Sequence, residues 1–271
     1  MSKIQKPKYN KFFNKKSFKR STVEPNYKGF LCSCNNREKD CIKEAYNLLN
    51  KYADLLYPQQ DTKESCSEET MEETSIEDEL EKELSELKAT KRDKNRFQVV
   101  ESGAKNILFI RTTIEDPVKL AHTIVQDLES SKNQQTRFLI RLVPIEITCK
   151  AYLNDIKTAM VPIAERYFKD AKKTFSVIFN HRNNNSFNRD EVIKLVADLI
   201  FETNGESKVD LKGAELSIII EVIKGIVLIG VVPDFIKYKK YNLLSICGND
   251  QELSNSVDSK VDTETETNEE K

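Results

Sequence analysis

Two apolar runs, Leu216-Ser217-Ile218-Ile219-Ile220-Glu221-Val222 and Ile226–Val232, lie close together in the last third of the chain. They constrain the fold more than any other feature. A strand with one wet face alternates polar and apolar residues; these runs scarcely alternate, so both of their faces must be covered. Glu221 and Lys224 interrupt the stretch Ile218–Val232, which is also shorter than the ~18–20 residues of a membrane span. The consistent reading is a pair of central strands, with Lys224-Gly225 turning the chain between them.

The rest of the chain supplies what covers such a sheet. Gly29–Cys34 reads as a short strand. Asn35 with Glu38 resembles a helix start, and Cys41, Ala45, Leu48, Leu49, Tyr52 and Leu56 mark one helical face that Pro58 ends. Phe97–Glu101 and Asn106–Thr112, joined by Ser102-Gly103-Ala104-Lys105, read as a hairpin. Asp116-Pro117 opens a helix whose stripe is Val118, Ala121, Ile124, Val125 and Leu128, and Arg137–Val143 is another strand. Residues 28–143 therefore read strand-helix-strand-strand-helix-strand, the ferredoxin-like order. A second unit, 144–247, begins with a helix from Lys150 to about Phe168 that Pro162 should kink or end. A strand Thr174–Phe179, a polar loop and a helix capped by Asn188 with Glu191 follow. That helix has Val192, Leu195, Val196, Leu199 and Ile200 at helical spacing. The fold class is α/β, two units in series.

Charge is distributed unevenly. The chain of 271 residues has a formal charge of −1, yet residues 1–20 hold eight Lys/Arg and no acid. Residues 61–90 hold twelve acids against three Lys, 249–271 hold eight against two, and the block 91–248 is +6. The expected organisation is a disordered basic arm (1–27), an acidic disordered insertion within the first unit (58–96) and an acidic disordered tail (248–271) around a basic folded body. A short charged helix around Ile76–Leu87 is compatible with the insertion.

Several chemistries are excluded. Seven glycines are far fewer than the usual ~7% would provide, and neither G-x-G-x-x-G nor G-x-x-x-x-G-K-[ST] occurs. His122 and His181 are the only histidines, too few for a zinc hydrolase. No secretory signal heads the chain. Cys32, Cys34, Cys41, Cys66, Cys149 and Cys247 have no regular framework and read as reduced thiols. Cys32, Cys34 and Cys41 could supply three zinc ligands, but a structural site wants four; the plainer reading is a strand end and a buried helical thiol. The expectation is an intracellular protein of the nucleus (nucleolus included) or the cytoplasm, with no membrane segment, cofactor, metal or small-molecule substrate, and no catalysis of its own.

Two sets of segments carry a resemblance. "FSVIFNHRNNN", "NRDEV", "KVDLKGAELSIIIEVIKG" and "GIVLIGVV", within Thr174–Val232, resemble a THUMP domain. "GFLCSCNNREKDCIKEAYNLLNKY", "FQVVESGAKNILFIRTTIEDP", "TRFLIRLVPIEITCKAYL" and "FIKYKKYNLL" resemble the eukaryotic THUMP-domain tRNA-acetylation adaptors. The match covers about Lys28–Leu244; the basic arm, acidic insertion and tail have none. The resemblance implies a ferredoxin-like domain followed by THUMP. It also implies tRNA as a partner and a separate RNA cytidine acetyltransferase that makes acetylcytidine in serine and leucine tRNAs. A general structured-RNA-binding protein and a protein-interaction scaffold remain as alternatives.

RNA is held mainly through phosphates and 2′-hydroxyls, which call for Arg, Lys, Asn and Ser in loops. The candidates are Arg182, Asn183 and Asn184 after a strand, and Arg189 at a helix start, where free amides also attract phosphate. Lys208 and Lys212 around Val209-Asp210-Leu211 join them, with Arg141 and Lys150 about the junction after Leu142. The plainer readings are an ordinary turn for the asparagines and solvated charge for the lysines. His181 reads as a strand-end hydrogen-bonding residue rather than a base.

Overall fold

A computed structural model describes residues 22–57, 96–184 and 186–248. Most of the basic arm, the acidic insertion with its short charged helix, Cys66 and the acidic tail lie outside these residues.

The first unit runs β1 (Gly29–Cys34), α1 (Glu38–Leu56), β2 (Phe97–Glu101), β3 (Ile107–Thr112), α2 (Pro117–Ser131) and β4 (Leu139–Ile145). Its antiparallel sheet has the order β2-β3-β1-β4, the ferredoxin-like arrangement. Glycine is required at position 29: a Cβ there would lie 2.0 Å from the Ile110 carbonyl oxygen of the neighbouring strand. The expected start of α1 differs. The helix begins at Glu38, whose carboxylate accepts from Asn106 N (2.9 Å) in the β2–β3 turn rather than closing a capping box. At α2 the Asp116 side chain accepts from Lys119 N with Pro117 in the first turn, as the sequence indicates.

The chain then crosses directly from one sheet to the other. After Glu146 it forms β5 (Ile147–Lys150), a strand the sequence does not indicate, and α3 (Leu153–Phe168) begins three residues later than the expected start at Lys150. Four residues are too few for periodicity to register, and β5 is recognisable only by its pairing with β9. Pro162 does not end α3: it sits on the exposed face of the helix, beside the exposed Thr158 whose carbonyl it leaves without a helical donor. Then come β6 (Thr174–Arg182), α4 (Arg189–Thr203), β7 (Lys208–Val209), β8 (Leu216–Ile223) and β9 (Ile226–Pro233). The second sheet has the order β5-β9-β8-β6-β7.

The apolar hairpin β8–β9 lies inside this sheet and is covered on both faces, as its composition demands. Ile218, Ile220, Val222, Val227, Ile229 and Val231 pack under α3 and α4. Their alternating neighbours Ile219, Ile223, Leu228 and Val232 enter the core of the first unit. Gly230 makes the crossing possible, since a Cβ there would lie 2.1 Å from the Pro144 carbonyl oxygen of β4. Two further segments bind the units together. Residues 22–27, expected as the end of a disordered arm, are tied down: Val23 N donates to Glu101 O (3.2 Å), Asn26 N to Thr148 O (2.7 Å) and Thr148 Oγ1 to Glu24 O (2.6 Å). After β9 a 3-10 turn (Lys239–Tyr241) and α5 (Leu243–Ile246) return to the first core through Phe235, Tyr238, Tyr241, Leu243 and Ile246.

Candidate nucleic-acid interface

Strand register gathers part of the candidate set at one end of the second sheet. Arg182 of β6 aligns with Ile223 of β8, Ile223 pairs with Ile226 of β9, and Ile226 pairs with Lys150 of β5. Arg182 and Lys150 thus stand on one line across four strands, about 14 Å apart at ~4.8 Å per strand step. Because β5 and β6 both run towards this end, the helices that follow them start here. The N-termini of α3 and α4 and the β8–β9 turn with Lys224 therefore share it.

Arg182 is held rather than free. Its Nε donates to Glu221 Oε1 (2.7 Å), with the Glu221 side chain 5% exposed and that of Arg182 49% exposed. This single bond fixes the guanidinium plane and leaves its two terminal nitrogens for another partner. The strand runs to Arg182, beyond the expected end at Phe179, and stops where Asn183 takes a left-handed φ of 54°, a conformation asparagine tolerates.

The amides of the asparagines hold the loop. Asn183 Nδ2 donates to Gly103 O (3.4 Å) in the β2–β3 turn, and Asn184 Nδ2 donates to Lys224 O. Asn184 Oδ1 accepts from Ser186 N (2.7 Å), and its backbone oxygen accepts from Nδ1–H of His181 (2.8 Å). His181 is the strand-end hydrogen-bonding residue expected. The Lys224 side chain lies over Gly103, where a Cβ would come within 2.7 Å of Nζ. The first unit's hairpin thereby buttresses the loop.

Arg189 is exposed as the first residue of α4, whose cap Asn188 accepts from Asp190 N (3.0 Å). Asp190 and Glu191 occupy the same first turn and Asp155 that of α3, so each helix dipole already faces carboxylate. Anion affinity at this end therefore depends on the cations. Lys150, Lys224 and Arg189 form no ion pair among the described residues.

The other candidates lie elsewhere. Lys208 pairs with Thr174 at the opposite end of β6, eight residues and about 26 Å from Arg182. Lys212 follows it. Arg141 is exposed in the first sheet, opposite Ser33 and bridged to Asn242. The eight residues therefore do not form one surface. Lys224 and the exposed Tyr152, two residues after Lys150, stand at the cationic end without belonging to the expected set. A lysine in the turn of an apolar hairpin was the available signal for the first; nothing local marks the second.

The buried cysteines offer little reactivity. Burial pushes the thiols of Cys32, Cys34 and Cys41 up, and that of Cys149 up to about 12. The described cysteines are all free, and no group of three or more His, Cys, Asp or Glu among the described residues is arranged for a metal. No helix among them is long and apolar enough to cross a membrane.

A ferredoxin-like unit feeding a mixed sheet with two helices on one face and a cationic end defines a THUMP-type protein, and residues 150–232 match the THUMP domain model. The chain belongs to the THUMP domain-containing protein 1 family. It is 41% identical to the Drosophila melanogaster THUMP domain-containing protein 1 homolog, over 92% of this chain and 84% of that one. It is 38% identical to THUMP domain-containing protein 1 of Homo sapiens, over 83% of this chain and 65% of that one. A solution structure of the THUMP domain of THUMP domain-containing protein 1 is 36% identical, covering 31% of this chain and 86% of that one at a TM-score of 0.29.

Proposed function

We propose that this chain is a non-catalytic adaptor that binds tRNA and presents it to a separate RNA cytidine acetyltransferase, for acetylcytidine formation in serine and leucine tRNAs. The observation that carries the reading is the gathering of Lys150, Arg182, Lys224 and Arg189 at one end of the THUMP sheet. Family membership supports it, as does the buttressing of that end by the first unit's hairpin, which holds the cations in place before RNA arrives. Asn183 and Asn184 act by shaping the loop, with their remaining polar atoms available to the backbone of the RNA. A glycine-poor chain with its described thiols largely buried suits binding better than acyl transfer, so the acetyl chemistry is assigned to the partner. The adaptor contributes affinity and orientation.

Mass-spectrometric nucleoside analysis of tRNA after deletion of the gene tests this. Acetylcytidine should disappear from serine and leucine tRNAs and persist in ribosomal RNA; unchanged tRNA acetylcytidine would refute the adaptor role. Acetylation of tRNA by this chain alone with acetyl-CoA would refute the non-catalytic assignment.

A further inference from the structure

The far end of the THUMP sheet is built differently from the cationic end. β7 pairs with β6 only at Thr174 and Phe175, so from Ser176 to Arg182 no strand among the described residues pairs with the outer edge of β6. The backbone of Lys173 and Phe175 faces β7, because Lys208 N donates to Lys173 O (3.2 Å) and Asp210 N to Phe175 O (2.8 Å). Strand alternation then aims the N–H and C=O groups of Val177, Phe179 and His181 at the open edge. β7 stops early because Asp210 turns the chain away, its carboxylate accepting from Lys212 N (2.9 Å) and Gly213 N (3.0 Å).

Apolar side chains stand exposed beside this edge: Leu211 at 71%, Val209 at 51% and Phe201 at 40%. Phe201 packs edge-on against Phe175 (5.5 Å between centroids), and Phe175 pairs with Val209, so Phe201 and Val209 continue one apolar surface. Lys173, Lys208 and Lys212 flank the start of the edge. The three lysines make no ion pair among the described residues.

We infer that this edge is a protein-docking surface that accepts an extended segment of a second protein as an added strand. Free backbone groups supply the pairing, Leu211, Val209 and Phe201 bury apolar residues of the segment, and the three lysines select acidic residues at one of its ends. Exposed aliphatic side chains favour a polypeptide over RNA, which has few aliphatic groups to cover them. The lysines and Val209 at the start of this edge lie about 26 Å along β6 from Arg182, so RNA held at the cationic end leaves them free. In that arrangement Lys208 and Lys212 serve the protein partner.

The test uses the full chain and two probes: a synthetic strand peptide of alternating Val and Ile with Asp or Glu at one end, and the cytidine acetyltransferase. Only the second probe rests on the adaptor reading. Two variants are compared with wild type. Val177→Pro removes an outward N–H without touching the β6–β8 ladder, a place where edge strands tolerate proline. Leu211→Gln removes the most exposed anchor. Each should weaken peptide and acetyltransferase binding at least tenfold and leave tRNA affinity and the circular dichroism spectrum unchanged. Hydrogen exchange at Val177, Phe179 and His181 should slow when either probe binds. Peptide binding without acetyltransferase binding would leave the docking surface standing and count against the adaptor reading. Acetyltransferase binding that ignores both variants would overturn the docking surface alone. Displacement of the peptide by tRNA would reassign the edge to RNA, and failure of wild type to bind either probe would overturn the inference.

Discussion

The ion pair between Arg182 and Glu221 makes the obvious test of RNA binding ambiguous and supplies a better one. Truncating Arg182 to Ala removes a proposed phosphate contact and also strips a 5%-exposed carboxylate of the one side chain bonded to it. An unsatisfied buried acceptor costs about 1–3 kcal/mol, and removing one member of a fully buried pair about 3–5. Arg182 is 49% exposed, so water replaces part of what it provides and the lower range applies. Arg182→Ala should therefore lower unfolding free energy by about 1–3 kcal/mol at pH 7. Glu221→Gln in the same chain removes the charge that needs a partner, so the double variant should regain most of the loss. The missing RNA contact should not return. Plots of log affinity for tRNA against log salt should have a slope shallower by about 0.7–0.9 in both variants, the value of one phosphate contact. Denaturant titration at pH 7 and filter binding at four salt concentrations give both readouts. A single variant as stable as wild type would refute the structural role of the pair. An unchanged salt slope in the well-folded double variant would remove Arg182 from the RNA surface.

Two further outcomes follow from the packing. Burial lowers the pKa of His122 from its ordinary 6.5, opposed by Asp234 and reinforced by Lys237, while Nδ1–H donates to the Tyr241 oxygen (3.0 Å) and Tyr238 packs edge-on. The folded state thus disfavours the charged ring, so this group's stabilisation is present above pH 6.5 and declines as pH falls through that value. Thermal melts at pH 5.5 and 7.5 should differ by less in His122→Gln than in wild type. Gly230→Ala should destabilise the chain by about 1–3 kcal/mol or more, as overpacking does, because its Cβ would have to displace the Pro144 carbonyl of the crossing strand. A midpoint in denaturant matching wild type would contradict that crossing.

The expected elements found in the structure include those long enough to carry a burial signal. The stripes Val118–Leu128 and Val192–Ile200 show helical spacing, and the twin runs around Lys224-Gly225 show an apolar stretch that scarcely alternates. β5 and β7, four and two residues long, are made by pairing and leave no such trace. Pro162 leaves its helix unended, because the effect of a proline depends on which side of the helix faces water. That side follows from what α3 packs against.

The sequence by itself therefore determined the order of most elements, the ferredoxin-like pattern and the burial of β8–β9 on both faces, and it supplied the residue types proposed to hold RNA. These are properties of local spacing and composition. Only the tertiary structure decided which of those residues stand together. Register across β5-β9-β8-β6 joins Lys150 to Arg182 and sends Lys208 and Lys212 to the other end, although Lys208 follows Arg182 by one crossover. The physical reason is that a parallel crossover returns the chain to the start of the next strand. Neighbours in sequence on either side of a helix thus emerge at opposite ends of a sheet.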